Sequence, residues 1–212
     1  MDVNRNRILG VDFDNTIVSY DDLLYGLAET RGLIEPEVHR GKKGVRDAVR
    51  ELPGGEVLWQ KLQAEIYGPR MPEARLMEGV VRFFTVCRKQ SVRVYIVSHK
   101  TEFANQDKTG TNLRTAALKW LESQGFFSHD GLGLDRESVF FESTRQAKIE
   151  RIKSLACTHF IDDLEETFLE DSFSSDVVKI LLDPHHSYSP RPGIMIYSSW
   201  SEIASYFFGE GA

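Results

Sequence analysis

Ile8-Leu9-Gly10-Val11-Asp12-Phe13-Asp14-Asn15-Thr16 is an apolar run that ends in two acids one residue apart. The run reads as a buried strand, and nothing about strand stability calls for acids at its end. Successive strand side chains point to opposite faces, so Asp12 and Asp14 start out aimed the same way. Two carboxylates that close repel each other and resist desolvation unless a positive charge offsets them. A divalent cation would do so, and Mg2+ prefers carboxylate oxygens. The stretch therefore points to a metal-assisted site at the carboxyl end of a buried strand.

Working outward, strands alternate with helices. Helical spacing governs Leu23, Leu24, Leu27 and Ala28, then Val45, Ala48, Val49 and Leu52, then Val57, Leu58, Leu62 and Ile66. Pro36, Pro53-Gly54-Gly55 and Gly68-Pro69 punctuate these segments, and no strand is expected between residues 23 and 67. Beyond Met71-Pro72 a helix ending near Gln90 leads into strand Val92–Val97, a polar loop, and a helix carrying Leu113, Ala117, Trp120 and Leu121 on one face. Strand Val139–Phe141, helix Ala147–Ala156, strand His159–Ile161, a short helix near Leu164–Leu169 and strand Val177–Leu182 follow. Strand Ile194–Tyr197 and helix Ser201–Phe208 complete the order. This alternation predicts an α/β fold: a Rossmann-like parallel sheet with helices on both faces, interrupted by a small helical insertion. Residues 1–22 and 69–212 are expected to form the α/β core and residues 23–68 the insertion. Ligands bind such sheets at the carboxyl ends of the strands.

Three further strand ends or helix starts carry polar groups. Val97-Ser98-His99-Lys100 offers the Ser98 hydroxyl and, at Ser98 and His99, backbone N–H groups suited to a phosphate oxygen. Taken alone, a serine there is a turn former. Ser143-Thr144-Arg145-Gln146 has the form of a capping box that starts a helix at Thr144. Lys148 then lies near the positive end of that helix, where a nearby anion would make it favourable. Phe160-Ile161-Asp162-Asp163 is a second apolar strand ending in acids. Alternation directs only one of them at the site. Asp163-Leu164-Glu165-Glu166 reads as a helix N-cap, so Asp162 is the better metal ligand and Asp163 the second candidate.

In this order the four segments resemble the motifs of the haloacid dehalogenase (HAD) superfamily of hydrolases. Asp12-Phe13-Asp14-Asn15-Thr16 matches the first motif, Ser98 the second, Lys148 the third and Asp162-Asp163 the fourth. The resemblance spans Ile8 to Asp183, and residues 23–68 fall where the superfamily inserts its helical (C1-type) cap. It implies that Asp12 is the nucleophile and Asp14 the general acid and base. Mg2+ would be held by Asp12, the backbone carbonyl of Asp14, Asp162 and, as a further candidate, Asp163. Ser98, His99, Lys148 and Thr16 would bind or support the phosphoryl group. An acid at position 14 looks like a phosphatase or phosphomutase, because dehalogenases of the superfamily lack one there. Asn15 replaces a frequent glycine and tolerates unusual backbone angles. The expected activity is hydrolysis of a small phosphorylated metabolite. A phosphotransferase or phosphomutase, and a non-catalytic binding protein of the same fold, are the alternatives.

Composition bounds the rest. The 212 residues carry a net charge of −6 with no long run of like charge, which argues against nucleic acid as a main partner. The N-terminus has no apolar leader and no stretch approaches the ~20 residues of a membrane helix, so the expectation is a cytoplasmic protein without membrane partners. Cys87 and Cys157 read as buried thiols, in neither a disulfide framework nor a zinc site. Arg40 to Arg46 is a basic cluster best read as a solvated helix start, and His185-His186 lacks matching metal ligands. The long polar loop from His99 to Asn112 is a candidate for substrate contact.

Overall fold

The computed structural model describes residues 7–107 and 109–209. The reading of the N-terminus falls on residues 1–6, outside that range, as does Lys108 in the 99–112 loop. The chain divides into two compact units, one of Met1–Val18, Leu76–Lys100 and Gln124–Ala212, the other of Ser19–Arg75 and Thr101–Ser123.

The first unit is built on six parallel strands. They are β1 (Ile8–Val11), β4 (Arg93–His99), β5 (Val139–Glu142), β6 (His159–Asp162), β7 (Val178–Leu182) and β8 (Ile194–Tyr197), in the order β5-β4-β1-β6-β7-β8. β1 is central, flanked by β4 on one side and β6 on the other. A strand covered on both faces reads as a continuous apolar run, which is what Ile8–Val11 is. The chain winds outward from β1 first through β4 and β5, then through β6, β7 and β8. The carboxyl end of β1 is thus the switch point where α/β sheets bind ligands.

Helices of this unit are α4 (Val80–Lys89), α6 (Arg145–Ser154), the single turn α7 (Glu165–Phe168) and α8 (Trp200–Phe208). On one face, Ile149 and Ile152 of α6 and Phe168 of α7 join Val97, Cys157, Phe160, Phe173 and Leu181 in one core cluster. Adjacent strand residues face opposite ways. His159 accordingly leaves Phe160 on that face and packs on Phe207 of α8 at 5.0 Å. There Phe83 of α4 meets Trp200 and Phe207 of α8. Gly10 has no room for a side chain, because a Cβ there would stand 2.4 Å from the Phe160 ring. Cys87 and Cys157 are buried, and burial pushes both thiols up to about 12.

The second unit contains α1 (Asp21–Thr30), α2 (Lys42–Arg50), α3 (Gly55–Tyr67) and α5 (Leu113–Ser123). It takes in the expected 23–68 insertion and adds the stretch from Thr101 to Ser123. Trp120 of α5 explains part of that grouping: its indole N–H donates to the Ala74 carbonyl at 3.0 Å. Asp107 braces the 101–112 loop by accepting from the backbone N–H groups of Thr109 and Thr111, both at 2.7 Å. Arg40 stacks on Tyr25 at 4.5 Å, and α2 does start within the basic cluster.

Two very short strands were not expected, β2 (Val18–Ser19) and β3 (Arg75–Leu76), which pair with each other. Each is two residues long, too short to carry an alternating pattern. No helix among the described residues is long and apolar enough to cross a membrane.

Candidate active site

The register of the sheet assembles the site. Val11 pairs with Ile96 on one side and with Ile161 on the other, so the residues that follow these strands emerge together. Asp12 continues the ladder by one bond, its N–H donating to Ile161 O at 2.8 Å. That brings Asp12 and Asp162 side by side at the end of the sheet.

Lys148 lies between them. Its ammonium donates to Asp12 Oδ1 at 2.6 Å and to Asp162 Oδ2 at 2.7 Å, and all three side chains are almost wholly buried. α6 delivers it there. Thr144, one residue later than the expected capping box places the cap, holds the helix through its hydroxyl, which accepts from Ala147 N–H at 3.1 Å. Lys148 follows in the first turn, 3% exposed, so it is no surface lysine. Burial works against its charge, but Asp12 and Asp162 hold the ammonium above its ordinary range.

Burial pushes the Asp12 carboxyl up to about 6; Lys148 opposes the rise, while Asp162 and Asp14 add to it. One carboxylate oxygen from each of Asp12, Asp162 and Asp163 lies within 4.8 Å of the other two. Like charges this close, in a carboxyl raised chiefly by burial, are what a hard divalent cation relieves. The donor set therefore fits Mg2+: three carboxylates, oxygen ligands only.

Asp163 departs from expectation. The short helix α7 has Leu164 as its N-cap with no side-chain cap. Asp162 Oδ1 accepts from Leu164 N–H at 3.0 Å. The reason is that β6 runs to Asp162 and the helix starts one residue later than the sequence suggests. Asp163 lies in a bend beyond the strand, so strict alternation no longer applies and its carboxylate reaches the same cluster as that of Asp162.

Asp14 lies beyond the end of β1, and its carboxylate is not in that cluster. Its oxygens instead receive Lys100 Nζ, at 3.0 Å to Oδ1 and 2.9 Å to Oδ2. Lys100 is a residue that sequence reasoning passed over. The signal was present: Ser98 and Lys100 are two apart, so the same face of the strand end takes both. Ser98 is 1% and Lys100 3% exposed. His99, between them, is exposed, with Nε2 3.1 Å from the Ser143 carbonyl. The structure thus brings together Asp12, Lys148, Asp162 and Asp163, pairs Asp14 with Lys100, buries Ser98, and leaves the His99 side chain outside the cluster.

The turn after Asp14 is tightly tied. Phe13 O accepts from Ile17 N–H at 3.0 Å and Val18 N–H at 3.1 Å. Asn15 takes a left-handed φ of 58°, a conformation natural to glycine and tolerated by asparagine. Trp200 Nε1 donates to Thr16 O at 2.8 Å, anchoring the turn from α8. The Asn15 amide and the Thr16 hydroxyl are buried with no hydrogen-bond partner among the described residues.

The fold is shared with known proteins. A HAD-like hydrolase from Streptococcus pneumoniae superposes with a TM-score of 0.59 at 11% identity, over 95% of this chain and 98% of that one. A HAD family hydrolase from Deinococcus radiodurans, with bound phosphate and sodium, gives 0.56 at 14%, over 95% and 94%. A HAD hydrolase from Bacillus subtilis, bound to magnesium, gives 0.55 at 14%, over 95% and 98%. Dehalogenases are also among the similar structures. No sequence-family model and no curated relative matches the chain. At such identities the likeness is one of fold: this is the α/β fold of HAD-superfamily hydrolases.

Proposed function

We propose that this chain, a HAD-fold hydrolase, is a Mg2+-dependent phosphomonoester hydrolase that works through a phospho-aspartyl intermediate on a small phosphorylated metabolite. The observation that carries the reading is the buried Lys148 ammonium held by both Asp12 and Asp162. It is a fixed cation beside a carboxylate nucleophile, which phosphoryl transfer requires if two anions are to meet.

Asp12 attacks phosphorus, and the leaving oxygen departs with a proton from Asp14. Asp14 then takes a proton from the water that hydrolyses the acyl phosphate on Asp12. Lys148 and the Ser98 hydroxyl stabilise the charge of the transferring group. Asp12, Asp162, Asp163 and the Asp14 carbonyl would hold Mg2+, which supplies charge neutralisation to the nucleophile and the phosphate. Magnesium in the Bacillus subtilis structure and phosphate in the Deinococcus radiodurans structure support the choice of ligands. The acid at position 14 favours a phosphate ester over a carbon–halogen bond, since a halide leaves without a proton.

The test is hydrolysis of an aryl phosphate with and without Mg2+, by the native chain and by Asp12→Asn. Mg2+-dependent release of phosphate that vanishes in the variant supports the reading. Activity that survives the substitution undiminished, with deamidation excluded, contradicts it.

A further inference from the structure

We infer that Lys100 is a positioning residue for the Asp14 carboxylate, a role distinct from the phosphate contact of Lys148. The inference rests on the phosphatase reading above. The two buried lysines of the site have different partners. Lys148 is divided between two carboxylates, each contributing one oxygen. Lys100 has both oxygens of one carboxylate, that of Asp14, within 3.0 Å of its ammonium. An ammonium within reach of both oxygens holds the head of the Asp14 side chain at one place.

Lys100 is itself fixed at both ends. Its backbone N–H donates to Glu142 O at 2.8 Å, extending the β4–β5 ladder past His99. Its ammonium lies 5.5 Å from the centroid of the Phe13 ring, which packs edge-on against Phe141 of β5. Only 2% of the side chain is exposed, so water does not compete for its donors. Asp14 needs this support. It stands outside β1, in a turn with a left-handed residue next to it, and its side chain remains 17% exposed. A proton donor and acceptor must hold its orientation within a fraction of an ångström to be effective.

A double-mutant cycle on aryl phosphate hydrolysis, with thermal melting of each variant, tests the role. Lys100→Met should lower kcat by on the order of a hundredfold, the effect of a catalytic group displaced by about 1 Å. KM should stay within about twofold, because the phosphate site at Lys148 and Ser98 is untouched. In an Asp14→Asn background the same substitution should change kcat by less than about twofold, since the group it positions is already gone. If Lys100→Met does not fold, Lys100→Arg carries the same test, with charge retained and donor geometry altered. A rise in KM at unchanged kcat would make Lys100 a substrate ligand and overturn the inference. So would a further large loss in the Asp14→Asn background. Native turnover with undiminished Lys100→Met activity overturns the role of Lys100 alone. Absence of Mg2+-dependent hydrolysis in the native chain overturns the phosphatase reading and this inference with it.

Discussion

The ammonium of Lys148 approaches Asp12 Oδ1 to 2.6 Å across a sequence separation of 136 residues, with neither side chain more than 6% exposed. A buried pair of this kind is weak evidence for stability and strong evidence for a site, because taking both charges out of water costs about what their attraction returns. Removing one partner is a different matter. Lys148→Met leaves Asp12 and Asp162 adjacent and unpaired, and should destabilise the metal-free protein by about 3 kcal/mol. Chemical denaturation in EDTA measures this. Turnover should fall about a hundredfold or more, as for loss of a charge-stabilising donor.

Proton competition gives a second expectation. The Asp12 carboxyl is raised by burial to about 6, and its proton must leave before a cation binds. Mg2+ affinity measured by titration calorimetry should therefore be about tenfold weaker at pH 5 than at pH 7. Affinity that is flat across this range would mean that Asp12 is not a ligand.

The same shift fixes a sign for stability. The folded value of Asp12 lies above the ordinary 3.8, so its contribution favours folding at low pH and is lost as pH rises through about 6. Lys148, held above its ordinary range, is charged throughout this window and adds no slope. Asp12→Asn removes the ionisation. In EDTA, the difference in unfolding free energy between variant and native chain should shift in favour of the variant by on the order of 2 kcal/mol from pH 4 to pH 7.

Gly10 is a packing requirement rather than a hinge. An added Cβ would meet Phe160 Cδ2 at 2.4 Å and Cys157 Sγ at 3.1 Å, both in the core. Gly10→Ala should cost about 1–3 kcal/mol and lower Tm by several degrees in a domain of this size. Phe160→Leu in the same chain should recover part of the loss. A Gly10→Ala variant that melts with the native chain would contradict the packing described.

The indole of Trp200 ties the turn after Asp14 to α8 through the Thr16 carbonyl. Trp200→Phe keeps an aromatic ring against Phe83 and Phe84 but orphans that buried carbonyl. The expected cost is about 1–3 kcal/mol. kcat should fall with it, since Asp14 is two residues from the anchored carbonyl.

Much of this arrangement is legible in the sequence for a specific reason. Asp12, Asp14 and Asp162 stand at or just beyond the ends of apolar strands, where polar residues have no structural motive, and Lys148 follows a recognisable cap. Parallel strands then bring distant ends into register without further information. What escapes the sequence is set by single side chains in three dimensions. Nothing along the chain ties Lys100 to Asp14, 86 residues earlier, except the parity it shares with Ser98. Asp163 is legible as the second metal candidate, but the N-cap expected of it is not formed, because the helix starts one residue later. The grouping of Thr101–Ser123 with Ser19–Arg75 rests on contacts such as Trp120 to Ala74 that no periodicity encodes.

In the proposed reaction Asp12 carries the phosphoryl group. The most direct measurement is acid quenching during turnover of an aryl phosphate with Mg2+, followed by peptide mass mapping. One phosphoryl group is expected on the peptide containing Asp12, released by hydroxylamine and absent in Asp12→Asn. A phosphoryl group on another residue, or native turnover with none trapped even when Asp14→Asn slows hydrolysis of the intermediate, would contradict it.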